Sequence, residues 1–223
     1  MDRYVEPDPD GVALLTIDVQ RDFTVPGAPA LIPGTAEAAN RMARLVRAFR
    51  EREAPIVHVV RLYRRDGSNV DPCRRATIEA GEGIVAPGSD GAELVEELKP
   101  DPSVRLDSDV LLSGDLQRLG EDEWAMYKPR WGAFYRTPLS AHLDELGVDT
   151  LVVSGCNFPN CPRTTVYEAS ERDFRIVLVA DAVSGTYERG LEELAGIGVA
   201  VAKTDYVVGW LREGGSLSPR PVS

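Results

Sequence analysis

Two kinds of apolar pattern alternate along the 223-residue chain. Short runs rich in β-branched residues are typical of buried strands, and longer segments with apolar residues at helical spacing are typical of amphipathic helices. The predicted strands are 12–17, 56–60, 123–128, 150–154, 175–180 and 199–202. The predicted helices are 35–53, 89–98, 137–146, 162–173, 188–196 and 204–211. This alternation predicts an α/β fold with a parallel sheet that is covered by helices on both faces.

The connections between these segments are not equally well marked in the sequence. Thr137 is a predicted helix cap, and Pro138 suits the first helical position because it has no N–H to leave unpaired. The segment 61–91, by contrast, shows no regular pattern and is long for a plain connection. It is either a functional loop or it hides a short element.

Length and composition favour one globular domain. Hydrophobic residues make up 43% of the chain and charged residues 27%, which are ordinary proportions. A chain of this length buries a sizeable core without help from disulfides or metals. We expect residues 1–213 to form a single domain and the polar residues 214–223 to be a flexible C-terminal tail.

The charge of the chain limits its partners. A formal net charge of −11 repels nucleic acid and anionic lipid, so neither is an expected partner. No apolar run approaches the length of a membrane span, and residues 1–10 lack the basic-then-apolar pattern of a secretory signal. We therefore expect a cytoplasmic protein that acts on a small-molecule substrate.

Polar side chains follow the predicted strands at the carboxyl edge of the sheet, which is where open parallel sheets bind ligands. Asp18 follows the first strand and Arg61 the second, Lys128 ends the third, and the segment 155–161 follows the fourth and ends at Cys161. A carboxylate, an ammonium group and a thiol are thereby expected on one rim. An acyl-transfer enzyme needs this combination of base, cation and nucleophile.

The thiol of Cys161 is the candidate nucleophile. Cys161 precedes Pro162, which suits the first position of a helix, so the thiol is expected at or beside a helix N-cap. The helix dipole would favour the thiolate there, and the free N–H groups of the first turn could stabilise an oxyanion. The alternative is a buried cysteine with a structural role.

The charged candidates also have ordinary alternative roles. Asp18 is either a general base or a turn and capping residue. Lys128 either stabilises the thiolate and orients Asp18, or is a solvated surface charge. The arginines after the second strand form either a binding wall for a polar or anionic substrate or a solvated loop; they are Arg61, Arg64, Arg65, Arg74 and Arg75.

The sequence predicts no cofactor and no metal. Cys156 and Cys161 are separated by four residues, and a second CxxC or HxxxH pair is missing, so the spacing of a structural zinc site is not met. GxGxxG and P-loop patterns are also missing. An odd count of three cysteines argues against a disulfide framework and leaves room for a working thiol.

The segments around these residues resemble the isochorismatase-like cysteine hydrolases. The sequence 14–23, LLTIDVQRDF, is similar to the first strand of that family, whose catalytic aspartate falls at Asp18. The segment 128–134 resembles the family's lysine motif, and 152–161 resembles its nucleophile loop. The three motifs stand in the family's order, and the resemblance covers about 12–184.

The resemblance implies a Rossmann-like three-layer fold, with a central, mostly parallel sheet and helices on both faces, and a homo-oligomer, a dimer or a tetramer. It also implies a non-proline cis peptide at Cys156–Asn157 and an oxyanion hole made by the N–H groups of Asn157 and Cys161. The family includes nicotinamidases, whose Asp/His metal cluster has no counterpart after His58. Nicotinamidase activity is therefore disfavoured.

Aromatic residues near the motifs are candidate pocket walls. Phe23 lies five residues after Asp18, and Trp131 lies three residues after Lys128. Both are expected to bind the body of a substrate, because small-molecule pockets are mostly apolar; the alternative is that they are ordinary core aromatics. Phe158 departs from the small residues common at this place in the family, and we expect it to limit the length of the substrate.

Together these features favour a cysteine hydrolase that cleaves an amide, carbamoyl or lactam C–N bond of a small molecule through a thioester intermediate. One alternative is vinyl-ether hydrolysis of an isochorismate-like substrate. That reaction needs no thiol, so the presence of Cys161 favours cleavage of a C–N bond. The other is a catalytically inactive binding protein on the same fold. The presence of Asp18, Lys128 and Cys161 together argues against it.

Overall fold

A seven-stranded sheet forms the centre of the computed structural model, which describes residues 2–217. Its strand order is β3-β4-β2-β1-β5-β6-β7. The strands are β1 Val12–Ile17, β2 Ile56–Val60, β3 Leu116–Gly120, β4 Glu123–Tyr127, β5 Thr150–Gly155, β6 Arg175–Val183 and β7 Ala200–Ala202. Strand β3 runs antiparallel to β4, and the other neighbouring strands are parallel.

Helices cover both faces of this sheet. They are α1 Arg21–Thr24, α2 Thr35–Glu51, α3 Pro72–Glu79, α4 Ser108–Ser113, α5 Leu139–Glu145, α6 Cys161–Ser170, α7 Glu188–Ala195 and α8 Thr204–Glu213, with 3-10 turns at Asp90–Ala92 and Glu96–Leu98. Apolar side chains of α2 and α8 share one core with the sheet, and those of α5, α6 and α7 share a second. The predicted three-layer α/β fold is confirmed.

Strand β1 holds the central position that its sequence predicts. All six of its residues are buried, because β2 and β5 flank it and helices cover both of its faces. A parallel strand in this position is apolar along its whole length rather than at alternate positions. The residue that follows β1, Asp18, is therefore held at the carboxyl edge of a rigid part of the sheet.

The predicted strands are present, with ends that differ by up to three residues, but some elements were not predicted. These are β3, α1, α3 and α4. The segment 89–98, predicted as one helix, contains two 3-10 turns instead. The reason is that the intervening Leu94 forms an antiparallel bridge with Gln20, which pulls the backbone into an extended conformation.

Two helix starts also differ from the prediction. Helix α5 begins at Leu139, so Pro138 is the cap residue rather than the first helical residue. The hydroxyl of Thr137 donates to the carbonyl of Ala133, 2.5 Å away, which stabilises the preceding turn. Helix α6 begins at Cys161 itself, one residue before the predicted start.

Residues after α8 pack on the fold as far as they are described. The Trp210 indole Nε1 donates to the carbonyl of Gly215 at 2.9 Å, and Leu217 is buried in the core of the α2 and α8 face. Residues 218–223, the rest of the predicted tail, lie outside the described residues. Between residues 2 and 217, no helix has the length and apolar character needed to cross a membrane.

Candidate active site

Three predicted residues meet at the carboxyl edge of the sheet. Asp18 follows β1, Lys128 follows β4, and Cys161 is the first residue of α6 after β5. The Lys128 Nζ donates to the Asp18 Oδ2 at 2.8 Å, although β2 lies between their strands. The lysine side chain is fully buried and that of Asp18 is 5% exposed. Lys128 is therefore not a solvated surface charge.

The backbone of Asp18 has an unusual conformation. Its φ is +56°, in the left-handed region that a residue with a Cβ rarely adopts. Its N–H donates to the carbonyl of Val59 at 2.8 Å, so the ladder between β1 and β2 holds the residue in place. Strained backbone held by its surroundings is a frequent feature of functional sites.

One oxygen of Asp18 is left open. Oδ2 accepts from Lys128, but Oδ1 is buried and accepts no hydrogen bond from any residue in the described part of the chain. Buried carboxylate oxygens normally have donors, so an open one calls for an explanation. This carboxylate is close enough to Cys161 to influence its titration. The arrangement leaves an acceptor for the thiol proton.

The Cys161 thiol does not have the low pKa that its helix position predicted. Burial raises the pKa above its ordinary value, because the charged thiolate loses solvation, and the Asp18 carboxylate raises it further. Lys128 and Arg61 lower the pKa, but their effect is smaller. The resting residue is therefore a thiol, and a nucleophilic role requires a base that removes its proton during attack.

The loop between β5 and α6 has the geometry that the resemblance implied. The Cys156–Asn157 peptide is cis. Gly155 has φ +128°, and a Cβ there would lie 2.3 Å from the carbonyl oxygen of Ile17, so the close approach to β1 requires glycine. Among the described residues, the N–H groups of Asn157 and Cys161 have no acceptor. Both remain available for an oxyanion.

Hydrogen bonds join the start of α6 to the lysine segment. The Thr165 hydroxyl donates to the carbonyl of Cys161 at 2.8 Å and accepts from the N–H of Ala133 at 3.1 Å. Gly132 fits beneath Glu168, because a Cβ there would lie 2.1 Å from the Glu168 Oε2. These contacts tie Cys161 to the segment after Lys128.

The other two cysteines differ from Cys161 in their surroundings. Cys156 is buried, its thiol donates to the carbonyl of Asp18 at 3.0 Å, and burial raises its pKa well above the ordinary value. Cys73 is exposed on the first turn of α3 and lines the same cavity as Cys161. Cys161 is thus not the only cysteine at a helix N-terminus.

A cavity of about 170 Å³ opens onto these groups. Asp18, Asn157 and Cys161 line it, together with the predicted binding residues Phe23, Arg61 and Trp131. Phe23 is buried in its wall, whereas Trp131 is 41% exposed at its edge, so Trp131 is not a core aromatic. Typical small-molecule sites measure roughly 300–1,000 Å³, so this cavity suits a compact ligand.

Phe158 does not line the cavity. Its side chain is fully buried in the core, where its ring meets that of Tyr187 at a centroid distance of 5.3 Å and an angle of 78°. Its N–H donates to the carbonyl of Ser184 at 2.8 Å, so the backbone at this position is held as well. The prediction that Phe158 limits the substrate is therefore wrong.

Several cavity residues were not among the predicted binding residues. Tyr63 and Asn160 line it, and Gln20 and Asp71 hold Arg61, one through its backbone and the other through its guanidinium. Arg74 also lines the cavity, which fits the binding wall that was one of the two roles expected for the arginines of this loop. Gln20 lies two residues after Asp18, and that proximity was a usable signal. Asn160 directly precedes Cys161, which was a usable signal as well. Tyr63 and Asp71 lie in the irregular segment 61–91, which gave no means to predict that it folds back over the sheet.

The described residues also bear on metal binding. Across residues 2–217, no group of three or more His, Cys, Asp or Glu side chains is arranged to hold a metal ion. His58, the histidine nearest to the predicted site in sequence, is fully buried within the sheet. Its Nε2 is hydrogen-bonded to the Glu123 carboxylate and its Nδ1 to the Thr16 hydroxyl, both at 2.7 Å.

Comparison with known proteins shows the family of this chain. A family model of the isochorismatase domain matches residues 12–205. A probable inactive nicotinamidase of Arabidopsis thaliana is 30% identical over 207 residues, 90% of this chain and 95% of its own. A ureidoacrylate amidohydrolase of Methylobacterium radiotolerans is 29% identical, over 92% of this chain and 78% of its own. An isochorismatase family protein from Desulfovibrio vulgaris has a crystal structure with a TM-score of 0.77 and 31% identity, covering 91% and 99% of the two chains. The chain belongs to the isochorismatase family.

Proposed function

We propose that this protein is a cysteine hydrolase that cleaves an amide, carbamoyl or lactam C–N bond of a small molecule through a thioester. The observation that carries the proposal is that the two carboxylate oxygens of Asp18 have different surroundings. Lys128 binds one carboxylate oxygen, the other has no hydrogen-bond donor among the described residues, and the carboxylate lies close enough to the buried Cys161 thiol to raise its pKa. A general base for a nucleophile needs this kind of free acceptor within reach.

The first half of the reaction forms the thioester. Asp18 accepts the proton of Cys161 as the sulfur attacks the substrate carbonyl carbon and the S–C bond forms. The carbonyl oxygen becomes an oxyanion that the N–H groups of Asn157 and Cys161 stabilise. Asp18 then gives the proton to the leaving nitrogen, the C–N bond breaks, and an amine or ammonia departs.

The second half restores the thiol. Asp18 takes a proton from water as the water oxygen attacks the thioester carbonyl. The S–C bond breaks, the carboxylic acid product leaves, and the proton returns to the sulfur of Cys161. Lys128 remains charged throughout and keeps the Asp18 carboxylate oriented.

The similar proteins support cleavage of C–N bonds in general terms. One relative is named for amide hydrolysis of ureidoacrylate, and another is named as a nicotinamidase that is probably inactive. That second name makes the inactive alternative worth testing directly. The presence of Asp18, Lys128 and Cys161 in contact or at one cavity favours activity in this chain.

Amine release from a panel of small amides, ureas and lactams tests the proposal. We expect release by the wild-type protein, a mass increase on the peptide that contains Cys161 after acid quenching, and loss of both in Cys161→Ala. Cys73→Ser removes the exposed thiol of the same cavity and is expected to keep the mass increase on the peptide that contains Cys161. Amine release that survives Cys161→Ala would rule out the thioester. No amine release from any compound of the panel would favour the two alternatives, and cleavage of an isochorismate-like vinyl ether would then separate the vinyl-ether hydrolase from a binding protein.

A further inference from the structure

Arg61 is a buried guanidinium with unused hydrogen-bond donors. Its side chain is 3% exposed, and its Nη1 lies 3.0 Å from the Asp71 Oδ2. That contact lacks hydrogen-bond geometry, and the guanidinium donates to no residue in the described part of the chain. A guanidinium carries five N–H donors, and a buried one is normally both paired and hydrogen-bonded. The missing acceptors indicate a place for a ligand.

The position of Arg61 points these donors at the reaction site. Arg61 follows β2, next to β1, and lines the cavity together with Asp18 and Cys161. Burial alone would lower the pKa of Arg61, but the nearby Tyr63, Asp18 and Cys161 raise it above its ordinary value, so the group stays charged.

The backbone of Arg61 is fixed from both sides. The Gln20 side chain donates to the Arg61 carbonyl and accepts from the Arg61 N–H, both at 2.7 Å. Gln20 is itself fully buried and also donates to the carbonyl of Ala92 at 2.6 Å. A side chain that extends from a backbone held this firmly has less freedom to lose when it binds a ligand.

A second guanidinium makes the cavity positive. Arg74 lines the same cavity from α3, with its guanidinium 5.9 Å from the centre of the Phe23 ring. Asp18 is balanced by Lys128 and Asp71 by Arg61. Arg74, in contrast, has no ion pair with the described residues. A cavity with a surplus cation in a chain of net charge −11 is a selective environment for an anion.

We propose that Arg61 binds a carboxylate of the substrate, so that the substrate is a small amide or carbamoyl compound that also carries a carboxylate. This inference rests on the proposed function of the same site and names its substrate class. Arg61 supplies the planar donors that match a carboxylate, and Arg74 adds attraction at the cavity mouth. The cavity of about 170 Å³ restricts the substrate to a short chain between the carboxylate and the amide.

Two alkylating reagents test the carboxylate site without a known substrate. Iodoacetate and iodoacetamide transfer a similar group to a thiolate by the same displacement of iodide, but only iodoacetate carries a carboxylate. The quantity to measure is the ratio of their rate constants at Cys161, by peptide mapping, which separates Cys161 from Cys73. Dividing by the same ratio for 2-mercaptoethanol removes the intrinsic difference between the reagents.

We expect the normalised ratio to exceed one by about ten-fold in the wild-type protein, since hydrogen bonds to charged groups are strong. Arg61→Gln should lower the normalised ratio by a similar factor. Arg61→Lys keeps the charge but not the planar donors of the guanidinium, so its ratio should lie between those of the wild-type protein and Arg61→Gln. Arg65→Gln is the matched control, because Arg65 is exposed on the same loop and does not line the cavity. Effects on thiol reactivity itself cancel in the ratio.

A variant of opposite sign guards against misfolding of Arg61→Gln. Asp71→Asn removes the anion that now faces Arg61, so we expect its ratio to equal or exceed that of the wild-type protein. An equal ratio in wild-type and Arg61→Gln would overturn the proposal. So would a fall in Arg65→Gln as large as that in Arg61→Gln, because it would show only a general effect of charge.

Paired amides separate this inference from the proposed function. Succinamate and its methyl ester differ in charge, as do N-carbamoylglycine and its ethyl ester. We expect amine release to favour the acid of each pair and Arg61→Gln to remove that preference. Equal hydrolysis of acid and ester by the wild-type protein would contradict the carboxylate site but not the proposed hydrolase activity. Should no amide release amine, the hydrolase proposal fails, and the alkylation ratio still decides whether Arg61 binds a carboxylate.

Discussion

Two buried carboxylates lie at opposite edges of the sheet, one where a strand begins and one where a strand ends, and their hydrogen bonds differ. Glu123, at the start of β4, accepts from the Arg50 Nε and Nη2, each at 2.7 Å, and from the His58 Nε2 at 2.7 Å. Asp18, after the end of β1, accepts from Lys128 on one oxygen only. Both are less than a tenth exposed, so burial does not explain the difference.

The difference in hydrogen bonding suits Glu123 to a role in stability and Asp18 to a role in catalysis. Burial alone would raise the pKa of Glu123, but hydrogen bonds from Arg50 and His58 outweigh it and lower the pKa to about 2. A carboxylate with hydrogen-bond donors on both oxygens is a poor proton acceptor, but it links the elements that supply those donors. Asp18 has a donor on one oxygen only, and the other oxygen is the free acceptor that a general base requires.

The largest expected effect is on turnover in Asp18→Asn. Amine release should fall by about 100- to 10,000-fold, because the amide cannot accept the thiol proton. The Asp18 carboxylate raises the pKa of Cys161, so its removal should lower that pKa and speed alkylation by iodoacetamide near neutral pH. Steady-state assays and alkylation rates on the same preparation check both. A variant that loses turnover and thiol reactivity in parallel would indicate a damaged fold instead.

Glu123→Gln is the matched change at the other end of the sheet, and its effect should be on stability. A pKa of about 2, against the ordinary 4.5, makes roughly 3 kcal/mol of stability that is present above pH 4.5 and lost as the pH falls toward 2. The variant should lack this contribution near pH 7 and show a flatter profile below pH 4.5. Urea unfolding at several pH values measures it, and turnover per folded molecule should stay unchanged.

The smallest expected effect is in Trp131→Ala. Loss of apolar contact with the substrate should raise KM by about three- to five-fold at roughly 25 cal/mol per Å², with kcat nearly unchanged. Stability should change little, because Trp131 is 41% exposed. Tyr135→Ala is the control, since Tyr135 is 43% exposed in the same segment but does not line the cavity. Equal KM values for Trp131→Ala and the wild-type protein would remove Trp131 from the binding site.

The parts that sequence could predict are those set by strong local patterns. The apolar runs of β1, β2 and β5 are unambiguous, and the connection rules for parallel strands then bring Asp18, Lys128 and Cys161 to one edge. Strand β3 was missed because its residues are all partly or fully exposed, so it lacks a clear apolar pattern. The burial of Phe158 against Tyr187 depends on contacts with a distant part of the chain, for which local sequence gives no signal.

The titration of Cys161 was also beyond sequence reasoning, for a different reason. Position at a helix start suggests a lowered pKa, and that effect is general. The extent of burial, which dominates here, depends on how closely the surrounding elements pack. Arg61 illustrates the same limit, since its sequence position suited either a binding wall or a solvated loop, and the fold buries it.

The clamp of Gln20 on Arg61 bears on how this protein tolerates sequence change. Gln20 and Asp18 belong to one short stretch of chain, so the backbone of Arg61 and the proposed base keep a fixed separation, provided that Asp71 still faces the guanidinium. Insertions or substitutions in the outer part of 62–91 can therefore alter the cavity mouth while leaving that separation intact. Divergence in substrate size is open to gradual mutation, whereas the spacing between reacting carbonyl and anchoring group is not.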